Sequence, residues 1–202
     1  VLPGPGRPLV RRGRRAVRST LGERALTLLV VDVQEAAVDL GPYQGAMVID
    51  NIATLIKASR VAGTEVIYVQ HENPEGSFRR GAPGWQIHAS LPPEPGDKIV
   101  AKAFNSAFRE TDLQAYLEER RISTLILVGM QTEYCIDTTC RVAFERGFRV
   151  VIPEWTNSTF DNGELTALQI YEYHNLRIFD GRFAALRPMD EALQLIKDAG
   201  VR

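Results

Sequence analysis

Short apolar runs alternate with longer amphipathic segments along most of this chain. The apolar runs are rich in branched residues and end at polar or glycine positions, which is typical of buried strands. Strands are predicted over residues 26–33, 65–70, 98–101, 125–128, 148–152 and 176–179. Continuous apolar strands that alternate with amphipathic helices indicate a parallel sheet covered on both faces. We therefore predict one α/β domain, a doubly wound, Rossmann-like, three-layer fold with a mainly parallel sheet of about six strands.

The segments between the strands carry helical periodicity and recognisable end signals. Apolar residues recur at helical spacing from Ala46 to Ala62, and Gly63 follows as a stop. The loop from His71 to Asp97 is long, and long loops in compact domains are usually functional. Further helix starts are predicted at the capping pairs Thr111 with Gln114 and Asp161 with Glu164, and at Pro188.

Composition is that of an ordinary globular protein. The 202 residues are 45% hydrophobic and 24% charged, with a formal net charge of −1, which suits one domain with a sizeable core. This charge balance gives no reason to expect nucleic acid or an anionic membrane as a partner. No apolar run approaches the roughly 20 residues that span a bilayer. The two cysteines form neither a redox pair nor a zinc site, so we expect free thiols in a cytoplasmic protein.

The first 24 residues differ from the rest of the chain. Residues 1–20 contain six arginines and three prolines, but no acidic residue and no sustained apolar period. This composition predicts a basic, disordered extension, with the folded domain over residues 25–202. A basic arm for nucleic acid or targeting is the alternative, although the segment lacks the apolar centre of a secretory signal.

Cys135 lies where a strand turns into a helix. The strand ends at Gly129, and Thr132 is a suitable N-cap, which would put the thiol in the first helical turn. Unpaired backbone N–H groups and the positive end of the helix dipole favour a thiolate at that place. A buried structural cysteine is the ordinary alternative, but polar flanks and the strand-to-helix turn favour a functional thiol. Cys140 falls on the core-facing stripe of the helix, so we interpret it as structural.

Three chemically useful side chains follow three predicted strands. Asp32 ends the first strand, Lys102 follows the third, and Cys135 follows the fourth. Ligands of such sheets bind beyond the carboxyl ends of the strands, so we expect these side chains to meet. Together they offer a nucleophile, a base for the thiol proton and a cation that stabilises both anions. The backbone N–H groups of Gln131 and Cys135 are the candidates for an oxyanion hole.

The sequence around these positions resembles that of a known family. The segments 31–34 (VDVQ), 102–108 (KAFNSAF) and 129–135 (GMQTEYC) are similar, in this order, to the acid, lysine and nucleophile blocks of the isochorismatase-like cysteine hydrolases. The resemblance extends from about Leu26 to Gly181. The long loop is similar to that of the branch that contains streptothricin hydrolase.

This resemblance has consequences for the mechanism. It implies an Asp32–Lys102–Cys135 triad that hydrolyses a C–N amide, ureide or lactam bond of a small molecule through a Cys135 thioester. It also implies a cis peptide bond between Met130 and Gln131, which turns backbone N–H groups into the oxyanion hole. Members of the family are usually homo-oligomers, so a dimer or larger assembly is expected.

One segment departs from the pattern of the family. Where relatives often have Asp-Ala-His-Ser-Thr, this chain has Trp155-Thr156-Asn157-Ser158-Thr159. The change leaves the triad intact, and we expect it to reshape the pocket or a contact between subunits. The loop 71–97 and the segment 155–157 are the predicted subunit contacts, because both place aromatic residues beside polar turns.

No metal and no other cofactor is predicted. The metal-dependent nicotinamidases of the family carry an Asp-x-His pattern between the acid and the lysine, and this sequence contains no Asp-x-His. The nearby histidines, His71 and His88, have the spacing of ordinary loop or pocket residues rather than of metal ligands. Nicotinamide is therefore not the expected substrate.

Four residues near the triad are predicted to bind the substrate. Gln34 could hydrogen-bond an amide or ureide, while Trp85, Phe104 and Tyr134 could form the walls of the pocket. Core packing is the alternative for each aromatic, because large apolar side chains fill protein interiors.

Three other functions compete with amide hydrolysis. The first is vinyl ether hydrolysis, but the true isochorismatases of the family manage without the cysteine, so Cys135 argues against it. The second is a non-catalytic module that binds a metabolite or a protein, which would have no need of the whole triad. The third is a redox sensor, which would need an exposed second cysteine, whereas Cys140 is predicted to lie in the core.

Overall fold

All strand pairs of the central sheet are parallel within residues 25–200, the part of the chain that this computed structural model describes. The strands are β1 (Ala25–Val31), β2 (Glu65–His71), β3 (Lys98–Lys102), β4 (Ile122–Met130), β5 (Arg149–Pro153), β6 (Asn157–Ser158) and β7 (Ala185–Arg187). The helices are α1 (Glu35–Asp39), α2 (Gly45–Ala62), α3 (Leu113–Glu119), α4 (Asp137–Glu145), α5 (Ala167–Tyr173) and α6 (Met189–Gly200). A 3₁₀ turn covers Pro83–Trp85, and π-helical segments cover Thr132–Ile136 and His174–Phe179.

The order of strands in the sheet is β3-β2-β1-β4-β5-β7, and β6 pairs with β4. The chain moves outward from β1 to β3 and then returns to build the other half from β4. This is the predicted doubly wound, parallel arrangement, which is confirmed. The sheet has seven strands rather than six because β6 adds a pair of residues beside the end of β4.

Two apolar layers cover the two faces of the sheet. Leu28 and Val30 of β1 belong to one buried cluster, which also contains apolar side chains of α2 and α6. Leu29 and Val31 alternate with them and belong to a second cluster with side chains of α3 and α4. Because alternate strand residues point to opposite faces, each inner strand must be apolar at nearly every position. The continuous apolar runs of the sequence have this cause.

The predicted strand at residues 176–179 is wrong. These residues belong to the π-helical segment His174–Phe179, which continues α5. The buried side chains Tyr171, Asn175 and Phe179 recur every four residues, which is a helical period. The edge of the sheet is formed instead by β7, whose three residues are only partly buried and so give little apolar signal.

Two predicted helix starts are also wrong. At α3 the N-cap residue is Asp112, and the predicted box of Thr111 with Gln114 does not form. The Thr111 hydroxyl accepts from the Leu113 N–H at 3.4 Å, whereas the Gln114 amide donates to Glu118. At α5 the capping box consists of Thr166 and Gln169 rather than Asp161 and Glu164. Capping patterns are short and recur by chance, so neighbouring matches compete until the helix position is known.

The prediction for residues 1–24 lies outside the described residues. Among the described helices, none is both long and apolar enough to cross a membrane.

Candidate active site

The carboxyl ends of four strands bring four side chains to one edge of the sheet. Asp32 directly follows β1, and Cys135 lies in the π-helical segment after β4. Lys102 is the last residue of β3 and pairs in register with His71, the last residue of β2. The predicted meeting of Asp32, Lys102 and Cys135 is therefore present in the structure, together with a histidine that was not assigned to the site.

Lys102 is the centre of this cluster. Its Nζ lies 2.5 Å from Asp32 Oδ2 and 3.3 Å from Cys135 Sγ. The Lys102 side chain is 0% exposed and that of Asp32 is 8% exposed. A buried ammonium is strongly disfavoured unless acceptors surround it, so the position of Lys102 depends on these neighbours. The ion pair holds Asp32 as a carboxylate next to the thiol.

Burial raises the pKa of the Cys135 thiol to about 12. The negative charge of Asp32 contributes to this rise, while the positive charge of Lys102 opposes it. The sequence predicted the opposite, a thiolate favoured by the start of a helix. That prediction is wrong because it counted the helix start and the Lys102 ammonium but not burial. Desolvation and the adjacent carboxylate raise the pKa by more than the Lys102 charge lowers it. The resting residue is a thiol.

Asp32 has an oxygen available for that proton. Its Oδ1 is buried and accepts no hydrogen bond from any described residue, whereas Oδ2 is bound to Lys102. The Asp32 backbone has a φ of 54°, a left-handed conformation that aspartate tolerates better than most residues. This turn ends β1 at Val31, two residues before the predicted end of the strand.

A cavity of about 200 Å³ opens beside these residues. Its lining consists of Asp32, Ala37, His71, Asn73, Phe78, Asn105, Met130, Gln131, Tyr134 and Cys135. Both predicted oxyanion-hole residues, Gln131 and Cys135, are therefore at the cavity. The peptide bond between Met130 and Gln131 is cis, as the resemblance implied. The Gln131 carbonyl accepts hydrogen bonds from the backbone N–H groups of Tyr134 and Ile136, which fixes the turn below the thiol.

Gln34 was predicted to bind the substrate, but its amide is occupied elsewhere. Gln34 is fully buried, and its Nε2 donates to the carbonyls of His71 and Trp85 at 2.9 and 2.8 Å. Its Oε1 accepts from the His71 N–H at 2.9 Å. The side chain thus joins the end of β2 to the long loop, and it does not line the cavity.

The three predicted aromatic walls have different positions. Tyr134 lines the cavity, and its hydroxyl accepts a hydrogen bond from Asn162 Nδ2 at 3.0 Å. Trp85 does not line the cavity; its carbonyl anchors Gln34 and Gln70. Phe104 does not line the cavity either, and the Arg109 guanidinium lies over its ring at 3.7 Å. Only one of the three predictions thus agrees with the cavity.

Five cavity residues were not assigned to the site from the sequence: Ala37, His71, Asn73, Phe78 and Asn105. His71 could have been found, because it directly follows a predicted strand, as Lys102 does. Asn105 follows Lys102 by three residues, and its Oδ1 lies 3.9 Å from Cys135 Sγ. Asn73 and Phe78 lie in the long loop, where no periodicity indicates which side chains turn inward.

The segment 155–159, which departs from the family pattern, is buried except for Trp155, which is half-buried. Thr156, Asn157, Ser158 and Thr159 are buried, so the predicted subunit contact at 155–157 is wrong for its last two residues. Trp155 stacks on Tyr171 with ring centroids 4.4 Å apart.

Asn157 connects this segment to the catalytic turn. Its Oδ1 accepts from the Thr132 hydroxyl at 2.8 Å, and its amide exchanges two hydrogen bonds with the amide of Asn175. Thr132 was predicted to be the N-cap, but that position belongs to Gln131, and the Thr132 hydroxyl bonds to Asn157 instead. Asn157, one of the residues that depart from the family pattern, therefore supports the turn that carries Cys135.

Gly129 is required by the close approach of β1 and β4. Its φ is 127°, and a Cβ atom there would lie 1.9 Å from the Val31 carbonyl oxygen. Only glycine fits this place, so the strand can deliver the Met130–Gln131 turn directly beside Asp32.

In the described part of the chain, no group of three or more His, Cys, Asp or Glu side chains is arranged to hold a metal ion. Both cysteines are free thiols, and Cys140 is buried in the core as predicted.

Residues 27–170 match the family described as the isochorismatase domain. Two streptothricin hydrolases from Streptomyces noursei are 34% and 30% identical to this chain over 137 and 166 residues. These matches cover 66% and 78% of this chain and 50% and 65% of the relatives. The chain thus spans less than two thirds of the length of either relative.

Other matches cover large shares of both this chain and the relative. A ureidoacrylate amidohydrolase from Variovorax paradoxus is 28% identical over 193 residues, which cover 76% of this chain and 75% of the relative. The crystal structure of a cysteine hydrolase from Pseudomonas syringae pv. phaseolicola is similar at a TM-score of 0.82 and 25% identity. This match covers 93% of this chain and 100% of the chain in that crystal structure.

Proposed function

The chain belongs to the isochorismatase family, and from this membership and its site we propose that it is a cysteine hydrolase that cleaves the C–N amide, ureide or lactam bond of a small molecule. One observation carries the proposal. The buried Lys102 Nζ contacts both Asp32 Oδ2, at 2.5 Å, and Cys135 Sγ, at 3.3 Å, beside a cavity of small-molecule size. The names of the relatives, a streptothricin hydrolase and a ureidoacrylate amidohydrolase, support the same class of reaction.

The reaction would begin with the thiol and carboxylate of the resting site. Asp32 takes the proton of Cys135 as Sγ attacks the carbonyl carbon, which is how a thiol of high pKa becomes a nucleophile. The backbone N–H groups of Gln131 and Cys135 would stabilise the tetrahedral oxyanion. The C–N bond then breaks, and Asp32 returns the proton to the leaving nitrogen, which leaves a thioester on Cys135.

Hydrolysis of the thioester completes the cycle. Asp32 removes a proton from a water molecule, whose oxygen attacks the thioester carbonyl. The C–S bond breaks, and the thiol is restored with the proton held by Asp32. Lys102 stays charged throughout and stabilises whichever neighbouring anion is present.

A screen for ammonia or amine release across amides, ureides and lactams tests the proposal. We expect turnover by the wild type and by Cys140→Ala, and none by Cys135→Ala, because only Cys135 lies at the cavity. Cys140→Ala serves as the matched control, with a stability loss on the order of 1 kcal/mol from the core truncation. Activity retained by Cys135→Ala, or lost in a folded Cys140→Ala protein, would refute the assignment of the nucleophile.

The other two members of the triad give a second test. Asp32→Asn removes the proton acceptor, and Lys102→Ala removes the cation, so each should reduce kcat by about 100-fold or more. Mass spectrometry of the protein during turnover should detect the acyl group on Cys135. A variant of either residue with wild-type kcat would contradict the mechanism.

A further inference from the structure

The cavity wall contains a histidine that the proposed reaction does not use. The backbone of His71 is clamped by Gln34 through hydrogen bonds of 2.9 Å to its N–H and its carbonyl. The His71 ring meets Phe78 edge-on, with centroids 5.9 Å apart. The position of the ring is therefore set by the end of β2 and the long loop, independently of the triad.

The ammonium of Lys102 has a third contact besides the two that define the triad. His71 Nδ1 lies 3.3 Å from Lys102 Nζ. An ammonium has three N–H donors and no acceptor, and the three contacts of Nζ are Asp32, Cys135 and His71. Because Lys102 is fully buried, each N–H needs one of these acceptors. Nδ1 of His71 must therefore present a lone pair.

The other nitrogen of the ring requires the same tautomer. His71 Nε2 lies 2.9 Å from Asn73 Oδ1, a carbonyl oxygen that can only accept. The hydrogen is therefore on Nε2 and the lone pair on Nδ1, which makes the imidazole neutral. An imidazolium would instead direct an N–H at the Lys102 ammonium and add a second cation beside it.

We propose that His71 is a positioning residue of the site. As a neutral imidazole protonated on Nε2, it accepts the third N–H of Lys102 and keeps the other two directed at Asp32 Oδ2 and Cys135 Sγ. Asn73 maintains this tautomer from the loop. The effect on turnover rests on the proposed function, whereas the hydrogen-bond arrangement exists in the resting protein and can be measured there.

The resting arrangement is tested by nuclear magnetic resonance of the full chain with ¹⁵N-labelled histidine. The chain has three histidines, so His71→Asn assigns the signals of His71 by their loss. We expect a neutral ring with its proton on Nε2 near neutral pH, and a mixture of tautomers in Asn73→Ala. A proton on Nδ1, or on both nitrogens, in the wild type would overturn the proposal.

The effect on turnover is tested with the matched variants His71→Asn and His71→Leu. The two new side chains are similar in size, but only asparagine keeps an acceptor close to the position of Nδ1. We expect His71→Leu to lower kcat by up to about 100-fold through misplacement of Lys102, and His71→Asn to recover most of that loss. His88→Leu is the control, because His88 lies outside the cavity lining and near Glu35, at 3.8 Å.

Equal losses of kcat in His71→Asn and His71→Leu would show that the ring only lines the cavity, and would overturn the proposal. If the wild type hydrolyses no amide, the proposed function fails and the same variants are compared by the rate of Cys135 alkylation. A difference between them then still supports the positioning role, and equal rates refute it.

Discussion

The proton on Cys135 is the residue-scale feature that governs the chemistry of this site. Burial and the charge of Asp32 raise the pKa of the thiol to about 12, so thiolate is scarce at neutral pH. The same negative charge that raises this pKa also attracts the proton that must leave. The Asp32 carboxylate, with its free buried oxygen, thus adds to the effect of burial on the thiol pKa and is also the means of activating the thiol.

Alkylation of Cys135 by iodoacetamide against pH should follow this pKa. Because the thiolate is the reactive form, we expect the rate in the wild type to rise with pH beyond the range of an ordinary thiol, toward about 12. Asp32→Asn removes a charge that raises the pKa, so its profile should shift to lower pH. Lys102→Ala removes a charge that lowers it and should shift the profile to higher pH.

Mass spectrometry of the alkylated peptide distinguishes Cys135 from Cys140, which is buried and should stay unlabelled while the protein is folded. A wild-type profile that reaches its plateau well below the ordinary thiol pKa of about 8.5 would contradict a thiol that is buried beside a carboxylate. Identical profiles in the wild type and Lys102→Ala would show that the lysine and the thiol are not neighbours.

Among the elements, β6 and the two π-helical segments depend on one another. Asn157 of β6 bonds to Thr132 in the first segment and to Asn175 in the second, and all three side chains are buried. A two-residue strand has little packing of its own, so these hydrogen bonds hold it beside β4 and hold the turn that carries Cys135.

The variants Asn157→Leu and Asn175→Leu should each lower the free energy of unfolding by about 2 kcal/mol or more, because each leaves a buried polar partner unsatisfied. The double variant should lose less than the sum of the two, since both amides of the pair are then absent. Urea denaturation measures all three. The exposed Asn162→Leu is the control and should change stability by no more than about 0.5 kcal/mol. Additive losses would indicate that the two amides are not coupled.

At the scale of the whole molecule, activity should survive exhaustive EDTA treatment. The proposed mechanism uses only side-chain and backbone groups of the chain itself, and residues 25–200 contain no cluster of three or more suitable ligand side chains. The measurement is ammonia release before and after chelation and dialysis. Loss of activity that one added divalent metal restores would refute a metal-free reaction.

We also expect the chain to form a homo-oligomer, at least a dimer, as the family resemblance implies. Since Thr156 and Asn157 are buried in the chain itself, the loop 71–97 remains the expected contact of the two predicted ones. A stable interface would bury more than about 1,200 Å² in total. Light scattering at micromolar concentration should give a mass of at least twice 22.5 kDa, and an active species of 22.5 kDa would contradict this expectation.

The sequence alone determined the parallel sheet, five of its strands to within three residues at each end, and the Asp32–Lys102–Cys135 cluster. Buried parallel strands need apolar residues on both faces, and they place the residues that follow them at one edge. Both properties are local along the chain, and the resemblance to a family added the cis peptide bond at Met130–Gln131. The helix at 174–179 was misjudged because a short apolar run fits a strand as well as a helical turn.

Only the tertiary structure decided which side chains reach the cavity and what state they are in. Gln34, Trp85 and Phe104 have suitable chemistry, but none of them lines the cavity. Gln34 is bound to the end of β2 and to Trp85 of the long loop, whose path no periodicity predicts. The pKa of Cys135 depends on burial and on Asp32, which is distant in sequence, so no local pattern could contain it. For the same reason His71 and Asn157 acquired their roles only when other strands placed Lys102 and Thr132 beside them.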